Sequence, residues 1–481
     1  MTFKKPATIL LSTLIVSTVL ITNSLNIHAE PDYEAEAEAR KSLQIQSNET
    51  ANWPAGPAIG AESAIVMDAN SGAILYAKNI HEQLYPASTT KILTCLLATE
   101  HAEMDEIVEY SKDAVFGIER DSSNMGMDVG EKITMEQSLY GILVGSANEA
   151  ACAVAEHISG SVADFATLMN EKAASLGCKD SHFMNPNGLY NENHYTSAYD
   201  LATIASAFFQ NELLCKMSST PTYEIPITAT QPDDIIVHSK NKLLKDRQFT
   251  YDSLVGSKTG FTSEARQTLV SCAKKNGMTL ICVIMKEESP YQFSDTATLF
   301  DYGFDNFQKV DISENEVQYS IDSSDLFHAD NDVLGNSKPV LALNQEAYLV
   351  LPKTAVFKDT LSSLSYTDTG ENSVATIDYT YNDIPVGHVS VDLVTASTGE
   401  LDLGSSNIKD VSTQDLNNTE DILFINITKV FLIIIGVAGL LIGIFVTHSL
   451  INNYQFSKKK SSHARRKKIT RIPSEFDDYN F

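Results

Sequence analysis

Three short groups of polar residues have the types and spacing that nucleophilic serine chemistry requires. Ser88-Thr-Thr-Lys91 places a hydroxyl and an amine three residues apart, Ser146-Ala-Asn148 places a hydroxyl near an amide, and Lys258-Thr259-Gly260 joins a cation to a hydroxyl. Serine is a weak nucleophile at neutral pH and reacts only when a neighbouring base takes its proton. The set therefore predicts a serine that is activated by a lysine and forms an acyl intermediate.

The same patterns recur elsewhere in the chain, and the surrounding sequence separates them. The further matches are Ser239-Lys-Asn-Lys242, Ser271-Cys-Ala-Lys274 and Ser122-Ser-Asn124. Only Ser88 follows a hairpin-like pair of strand patterns, 64–68 and 73–77, and opens an apolar helical run over 92–98. The other matches precede turns or lie in strand patterns. Ser88 and Lys91 are therefore the predicted nucleophile and general base.

The spacing of Ser88 and Lys91 suits a helix. Residues three apart share one helix face, so their side chains are expected to touch. Lysine can act as a base only if burial or neighbouring cations lower its pKa enough to populate the neutral amine. A helix N-terminus also favours a developing oxyanion. The competing interpretation is a helix cap beside an exposed lysine, and the presence of the other two motifs disfavours it.

Ser146 and Asn148 are two residues apart and would point away from each other on a regular helix. We therefore predict that they lie in the turn between helices over 134–144 and 148–158. In that turn Ser146 is expected to relay a proton between Lys91 and the leaving amine, and Asn148 to hold a substrate amide and Lys91. A helix-capping role for either residue fits the local sequence equally well.

Lys258-Thr259-Gly260 lies in a strand pattern that is flanked by Gly256 and Gly260. Glycine has no side chain, so these two positions would not obstruct a peptide laid alongside the strand. Lys258 and Thr259 are expected to bind a terminal carboxylate. Such binding selects a free C-terminus, which favours carboxypeptidase chemistry over cleavage within a chain. Taken alone, Lys258 would be read as a solvated strand lysine.

The order of the elements predicts an α/β fold in which an antiparallel sheet is flanked by a helical subdomain. Helical patterns at 134–144, 148–158, 162–176 and 198–210 separate the first strands from a hairpin over 267–273 and 278–285. A helix over 293–306 is expected to close the domain. Short alternating strands follow, which predict a small all-β domain.

Composition narrows the function. The chain has 481 residues, 43% of them hydrophobic, so it can bury a substantial core. The net charge of −27 makes nucleic acid an improbable partner. The six cysteines show neither a disulfide framework nor metal-ligand spacing, so we expect mostly free, buried thiols and no metal bound by them.

Both termini carry membrane-related patterns. Lys4 and Lys5 precede an apolar stretch and Ile27-His28-Ala29, which predicts a signal peptide cleaved after Ala29. The run 430–446 has 17 uncharged residues, and a cluster of lysine and arginine follows it, which predicts one membrane span with a cytoplasmic tail. A buried core helix with a polar tail, or an uncleaved N-terminal anchor, are the alternatives. The predicted organisation is a signal peptide (1–29), a leader or linker (30–57), a catalytic domain (58–309), a β domain (310–404), a linker (405–425), a transmembrane helix (426–449) and a basic cytoplasmic tail (450–481), with the catalytic domain extracellular.

These motifs, taken together, resemble the low-molecular-mass penicillin-binding proteins of the D-alanyl-D-alanine carboxypeptidase family. The resemblance extends over about 58–310, and its further segments are Tyr85-Pro-Ala-Ser-Thr-Thr-Lys91, Asn185-Pro-Asn-Gly-Leu189, His194-Tyr-Thr-Ser-Ala198 with Asp200-Leu-Ala202, and Asn241-Lys-Leu-Leu244.

The resemblance implies a penicillin-recognising fold that removes the terminal D-alanine from peptidoglycan stem pentapeptides through an acyl-Ser88 intermediate. By the same matching Lys91 is the base, Ser146 and Asn148 assist, and Lys258 and Thr259 bind the carboxylate. The N–H groups of Ser88 and Phe261 are implied as the oxyanion hole, with Gly260 and Phe261 lining the substrate site. β-Lactams are implied as covalent inhibitors that acylate Ser88, and no metal or organic cofactor is implied.

Two departures from the family pattern stand out. Ala265-Arg266 occurs where many members have Ala-Gly, which predicts a cation at the cleft rim that alters substrate preference. The predicted spanning helix replaces the amphipathic anchor that is usual in the family. Three alternatives remain: a class A β-lactamase, which would need a Glu-x-x-x-Asn segment that 149–257 lacks, an endopeptidase acting on cross-links, and a non-catalytic β-lactam sensor or wall-binding protein.

Overall fold

A five-stranded antiparallel sheet lies at the centre of the catalytic region. The computed structural model describes residues 31–317, 341–366 and 373–393. The strand order across the sheet is β2 (Ile74–Lys78), β1 (Ser63–Asp68), β9 (Met278–Glu287), β8 (Arg266–Lys275) and β7 (Leu254–Thr262). All four pairings are antiparallel, and β7 forms one edge of the sheet. The predicted hairpin at 64–77 and the hairpin that joins β8 to β9 are both confirmed.

Side chains alternate between two hydrophobic cores, one on each face of the sheet. In β1, Ile65 and Met67 belong to the core shared with the helical subdomain, whereas Ala64 and Val66 belong to the core on the opposite face. Successive strand residues point to opposite faces, so a strand buried on both sides reads as a continuous apolar run. The sheet is therefore a buried central layer.

The helical subdomain lies between β2 and β7 in the chain. Its helices are α2 (Lys91–His101), α3 (Lys112–Phe116), α4 (Met135–Val144), α5 (Asn148–Ser159), α6 (Val162–Ser175), α7 (Ala198–Phe209) and α8 (Glu212–Ser218). Two short hairpins accompany them, β3 (Ile107–Glu109) with β4 (Lys132–Thr134) and β5 (Thr222–Ile225) with β6 (Ile235–His238). The first eight residues of α2 are buried, so the helix that carries Lys91 runs through the core. The helices predicted at 134–144, 148–158, 162–176 and 198–210 are confirmed to within two residues.

The region after the sheet shares a core with the catalytic region. Helix α9 (Tyr291–Asn306) is followed by β10 (Phe307–Asp311) and α10 (Ile312–Asn315), and β10 pairs with β12 (Tyr348–Pro352). A four-stranded sheet contains β11 (Leu341–Leu343), β15 (Ile384–Leu393), β14 (Ser373–Tyr381) and β13 (Leu361–Ser365). Strand β10 crosses the boundary predicted at 309–310, and Phe300, Leu349 and Ile377 lie in one core cluster. The structure therefore differs from two separately packed domains. Buried side chains of the central sheet, of α9 and of the later strands belong to one hydrophobic core.

Residues 31–57, which the composition predicted to be a leader or linker, are folded onto the catalytic region. Helix α1 (Tyr33–Arg40) buries Ala37 and Arg40, and a 3₁₀ helix follows at Gln46–Glu49. The indole of Trp53 is buried and donates a hydrogen bond to the carbonyl oxygen of Leu75, 2.9 Å away. The segment packs through this ring and through the buried Arg40 of α1, although the surrounding composition is polar.

Several predicted segments lie outside the described residues: the signal peptide 1–29, the linker 405–425, the transmembrane helix 426–449 and the tail 450–481. Among residues 31–317, 341–366 and 373–393, no helix has the length and apolar character needed to cross a membrane. All six cysteines are free thiols.

Candidate active site

Ser88 lies in a 3₁₀ helix, Ala87–Thr90, that runs directly into α2. The preceding residue, Ala87, has a φ of +50°, a conformation that disfavours residues with a side chain and that is common at active sites. The carbonyl oxygen of Pro86 accepts hydrogen bonds from the hydroxyls of Thr89 (2.7 Å) and Thr268 (2.8 Å). This bonding holds the turn that presents the Ser88 hydroxyl, which is partly accessible, toward the cleft.

Lys91 is fully buried beneath Ser88. Its Nζ lies 2.9 Å from Ser88 Oγ, 2.6 Å from Asn148 Oδ1 and 2.5 Å from the carbonyl oxygen of Asn187. Burial lowers the pKa of Lys91 well below its ordinary value, and the charge of Lys258 lowers it further. The amine is therefore neutral under conditions in which an exposed lysine is charged.

The three contacts of Lys91 specify how the neutral amine is oriented. A neutral amine has two N–H donors and one lone pair. The oxygens of Asn148 and Asn187 can only accept hydrogen bonds, so they take both donors. The lone pair of a neutral amine would then face Ser88 Oγ, in a position to accept the hydroxyl proton. The structure thus brings together the serine and lysine that the sequence predicted, in the geometry a general base requires.

Asn187 supplies a contact that the sequence did not reveal. Its carbonyl oxygen receives the Lys91 amine, while its side chain accepts a hydrogen bond from the Leu189 N–H at 3.0 Å and donates one to the Cys152 sulfur at 3.3 Å. Gly188 follows with a φ of +80°, and a side chain there would collide with the Ala87 carbonyl. The Asn-Pro-Asn-Gly sequence is typical of a turn. Every residue has a backbone carbonyl, so the sequence does not indicate that the carbonyl of Asn187 contacts Lys91.

Ser146 and Asn148 lie in the predicted turn between α4 and α5, which is thereby confirmed. Ser146 has a φ of +60°, and Asn148 is the first residue of α5. The Asn148 side chain reaches Lys91, as predicted. The Ser146 hydroxyl accepts a hydrogen bond of 3.0 Å from Lys258 Nζ, so this serine links the turn to β7.

Lys258 is buried at the opposite wall of the cleft, on β7. Its Nζ also donates to the carbonyl oxygen of Thr259 at 2.9 Å. Burial lowers the pKa of Lys258 to about 7, and the nearby charge of Lys240 lowers it as well. The solvated strand lysine considered as the alternative is therefore excluded, because only 2% of Lys258 is exposed.

Gly260 has a role beyond the one predicted from its lack of a side chain. A Cβ at this position would lie 3.0 Å from the backbone nitrogen of Ser88 and 3.0 Å from the carbonyl oxygen of Pro86, and it would collide with the Thr268 hydroxyl. Glycine is required here because β7 passes directly against the turn that holds Ser88. The next residue, Phe261, is 53% exposed beside this contact.

The three other motif matches contribute no residue to the contacts that join Lys91 to Ser88, Asn148 and Asn187. Ser122-Ser-Asn124 belongs to a loop whose Ser123 carbonyl accepts a 2.9 Å hydrogen bond from the Asn148 N–H. The Ser123 hydroxyl accepts one of 3.2 Å from Lys240 Nζ. Ser239–Lys242 includes that lysine, and Ser271–Lys274 lies in β8. Lys240 is a cation close enough to Lys258 to lower its pKa, and no local pattern in the sequence singles it out.

Arg266, the cation that the sequence predicted at the cleft rim, has its charge paired with a carboxylate. Its guanidinium makes two hydrogen bonds to Glu288, at 3.0 and 2.6 Å, and lies 3.6 Å from the centre of the Tyr33 ring. The buried carboxylate of Glu288 neutralises this charge, because two parallel N–H donors fit one carboxylate group. Neither the partner Glu288 nor the docking of α1 is visible in the local sequence.

Comparison with known proteins places these features in a family. A sequence profile of the D-alanyl-D-alanine carboxypeptidase family matches residues 48–289. The D-alanyl-D-alanine carboxypeptidase DacF of Bacillus subtilis is 33% identical over 302 residues, which cover 62% of this chain and 72% of the relative. The D-alanyl-D-alanine carboxypeptidase DacD of Escherichia coli is 31% identical over 316 residues, 63% of this chain and 76% of that protein.

Solved structures agree with the sequence relatives. Penicillin-binding protein 6B from Escherichia coli superposes with a TM-score of 0.52 and 28% identity, covering 72% of this chain and 98% of that one. Penicillin-binding protein 5 from Haemophilus influenzae has a TM-score of 0.54 and 25% identity, with 71% and 98% coverage. The fold is therefore that of the penicillin-binding proteins, with an antiparallel sheet and a helical subdomain.

Proposed function

The chain belongs to the D-alanyl-D-alanine carboxypeptidase family of serine peptidases, and we propose that it removes the terminal D-alanine from peptidoglycan stem pentapeptides through an acyl-Ser88 intermediate. The observation that carries this proposal is the orientation of Lys91. Its buried Nζ lies within hydrogen-bond distance of two carbonyl oxygens, which can take both N–H groups of a neutral amine, and it lies 2.9 Å from Ser88 Oγ.

Acylation begins when Ser88 Oγ attacks the carbonyl carbon of the penultimate D-alanine and Lys91 Nζ takes the hydroxyl proton. The oxyanion is assigned to the N–H groups of Ser88 and Phe261, because β7 passes against the Ser88 backbone at Gly260. The C–N bond then breaks. We assign Ser146 to relay the proton from Lys91 to the departing D-alanine nitrogen.

Deacylation repeats the proton movement with water. Lys91, neutral again, takes a proton from a water molecule that attacks the ester carbonyl of acyl-Ser88, and it returns that proton to Ser88 Oγ as the ester bond breaks. The products are the shortened peptide and free Ser88. A β-lactam follows the acylation step, but its leaving nitrogen stays tethered, so we expect a long-lived acyl enzyme and inhibition.

Lys258 and Thr259 are assigned to the terminal carboxylate of the substrate. A carboxylate entering the cleft would give the buried ammonium of Lys258 a partner of opposite charge, and such charge-assisted contacts are about twice as strong as neutral ones. Thr259 adds a hydroxyl donor from the same strand, and Asn148 remains the partner of the substrate amide. A free C-terminus is thereby selected.

Replacing Lys258 by alanine is expected to lower kcat/KM for diacetyl-Lys-D-Ala-D-Ala by about 100-fold, mainly through KM, because the carboxylate loses its buried cation. The check is to compare the acid substrate with its C-terminal amide. Wild type should prefer the acid strongly, and the variant should treat the two nearly alike. Lys275→Ala, at the far end of β8, is the matched control. Retained preference for the acid in Lys258→Ala would contradict the assignment.

The dependence of kcat/KM on pH is expected to be bell-shaped. On the acid side, protonation of Lys91 removes the base. On the alkaline side, loss of the proton from Lys258, whose pKa is about 7, removes the carboxylate-binding cation. A bound carboxylate raises the pKa of Lys258, so the alkaline limb of kcat should lie at higher pH than that of kcat/KM. Profiles from about pH 5 to 10 test this; coincident alkaline limbs would show that Lys258 does not meet the substrate carboxylate.

The experiment that tests the proposed function follows the products made by the full chain in mild detergent. Release of D-alanine from diacetyl-Lys-D-Ala-D-Ala, with no cleavage of cross-linked dimers, is the expected result. Dimer cleavage without D-alanine release would establish an endopeptidase. Labelling by penicillin without turnover of either peptide would establish a sensor.

We also propose that the chain is exported and held at the outer face of the cell membrane by residues 426–449, with 450–481 in the cytoplasm. The support is the 17-residue uncharged run 430–446 followed by a basic cluster. Membrane fractionation of the full chain beside a form that ends at residue 425 tests this. Equal recovery of both forms in the soluble fraction would overturn the proposal.

A further inference from the structure

Arg266 occupies a backbone conformation that suits glycine. It begins β8, immediately after the turn that leaves β7, and its φ is +53°. A residue with a Cβ is disfavoured in this left-handed region, so it persists only where its side chain makes compensating contacts.

The compensating contacts join the N-terminal segment to the strand that lines the active site. The guanidinium makes both hydrogen bonds to Glu288, and it lies 3.6 Å from the centre of the Tyr33 ring and 5.6 Å from that of Phe261. Glu288 is buried. We refer to Tyr33, Arg266 and Glu288 together as the N-terminal clamp.

Helix α1 is fixed at its other end as well, so Tyr33 has little freedom to move away. Arg40 Nε donates to the Gly60 carbonyl oxygen at 2.8 Å, and the Arg40 carbonyl accepts 2.9 Å from the buried Lys78 amine. The guanidinium of Arg40 lies 3.6 Å from the same Glu288 carboxylate that binds Arg266. One buried carboxylate therefore connects α1 to the start of β8.

The clamp lies next to the part of β7 that meets the reacting carbonyl. In the β7–β8 pairing, Thr262 is opposite Arg266 and Phe261 is opposite Gln267. The position of the hairpin end thus sets the position of the Phe261 backbone. This argument rests on the proposed function, which assigns the Phe261 N–H to the oxyanion hole.

We propose that Tyr33 and Arg266 are positioning residues for the reaction: by fastening the hairpin end, they hold the Phe261 N–H where the oxyanion forms. The segment that precedes the central sheet is thereby part of the catalytic apparatus. Neither residue touches the substrate. Their effect should appear in the rate of acyl transfer more than in substrate binding, because an oxyanion exists only during the reaction.

The test uses the full chain in detergent and three variants: Arg266→Gly, which keeps a residue suited to positive φ, Tyr33→Ala, and the conservative Tyr33→Phe. Acylation by a fluorescent penicillin, kcat and KM for D-alanine release, and thermal unfolding are measured for each. Arg266→Gly and Tyr33→Ala should acylate about tenfold more slowly, with kcat lowered to match and KM changed less than about twofold. Tyr33→Phe should acylate at the wild-type rate. The control is Tyr366→Ala, which replaces an exposed tyrosine far along the chain.

The outcomes separate the possible roles. Unchanged acylation rates in both Arg266→Gly and Tyr33→Ala would overturn the proposal, and so would a lower unfolding temperature with an unchanged rate, since the clamp would then only hold α1. Penicillin acylation does not depend on D-alanine release. If wild type acylates but releases no D-alanine, the carboxypeptidase assignment fails while the clamp is still judged by the acylation rates.

Discussion

Replacing Ser88 by alanine is expected to lower kcat for D-alanine release by at least about 10⁴-fold, because the only atom that can carry the acyl group is removed. The rest of the site should stay assembled. Lys91 keeps its contacts with Asn148 and Asn187, which do not depend on the serine hydroxyl. The substrate should therefore still bind, with KM or a measured Kd close to that of wild type.

The matched control for Ser88→Ala is Ser239→Ala, since Ser239 also stands three residues before a lysine. Both variants are assayed for D-alanine release and for covalent labelling by penicillin. Ser239→Ala should retain both activities and Ser88→Ala should lose both. Labelling that survives in Ser88→Ala, or a comparable loss in Ser239→Ala, would mean that the nucleophile is a different serine.

Replacing Lys91 by methionine should cause a loss of similar size, about 10⁴-fold in kcat, together with loss of penicillin acylation. Methionine fills nearly the same buried volume but offers no lone pair that can take a proton. Arginine at this position should be equally inactive, because a guanidinium stays protonated. A serine without its base remains a weak nucleophile even when it is correctly placed.

Folding of Lys91→Met should be affected much less than catalysis. The variant leaves the oxygens of Asn148 and Asn187 without their donor, which is destabilising, but it also removes a buried amine, which is stabilising. Thermal unfolding should therefore shift by no more than about 5 °C. Lys242→Met serves as the control, because it changes the lysine of the alternative Ser239–Lys242 match. Substantial activity in Lys91→Met would assign the base to another group.

The sequence predicted best those features that depend on spacing and on residue type. Ser88 and Lys91 meet because three residues along a helix bring side chains to one face, and Ser146 and Asn148 lie in a turn because two residues would not. The central sheet was recognisable because its strands are apolar runs separated by turn residues. These signals are local, so a single chain is enough to read them.

Features that depend on distant partners were not predictable in the same way. The Asn187 carbonyl is a backbone group that any residue could supply, and its role exists only because the fold brings it to Lys91. The ion pair of Arg266 was not predicted, because its partner Glu288 lies 22 residues away in the sequence. The docking of α1 was not predicted for a similar reason. An arginine such as Arg40 is usually exposed, and its burial depends on a hydrogen bond to the distant carbonyl of Gly60.

The position of β7 at the edge of the central sheet has a consequence for how copies of this protein behave toward one another. An edge strand has backbone N–H and C=O groups that no neighbouring strand binds on one side, and such a strand can pair with the extended backbone of a partly unfolded neighbour. Self-association through this edge is therefore a hazard for the protein. The net charge of −27 opposes it, since like-charged copies repel before their edges can meet. That protection weakens as salt shortens the range of the repulsion, to about 8 Å at physiological ionic strength.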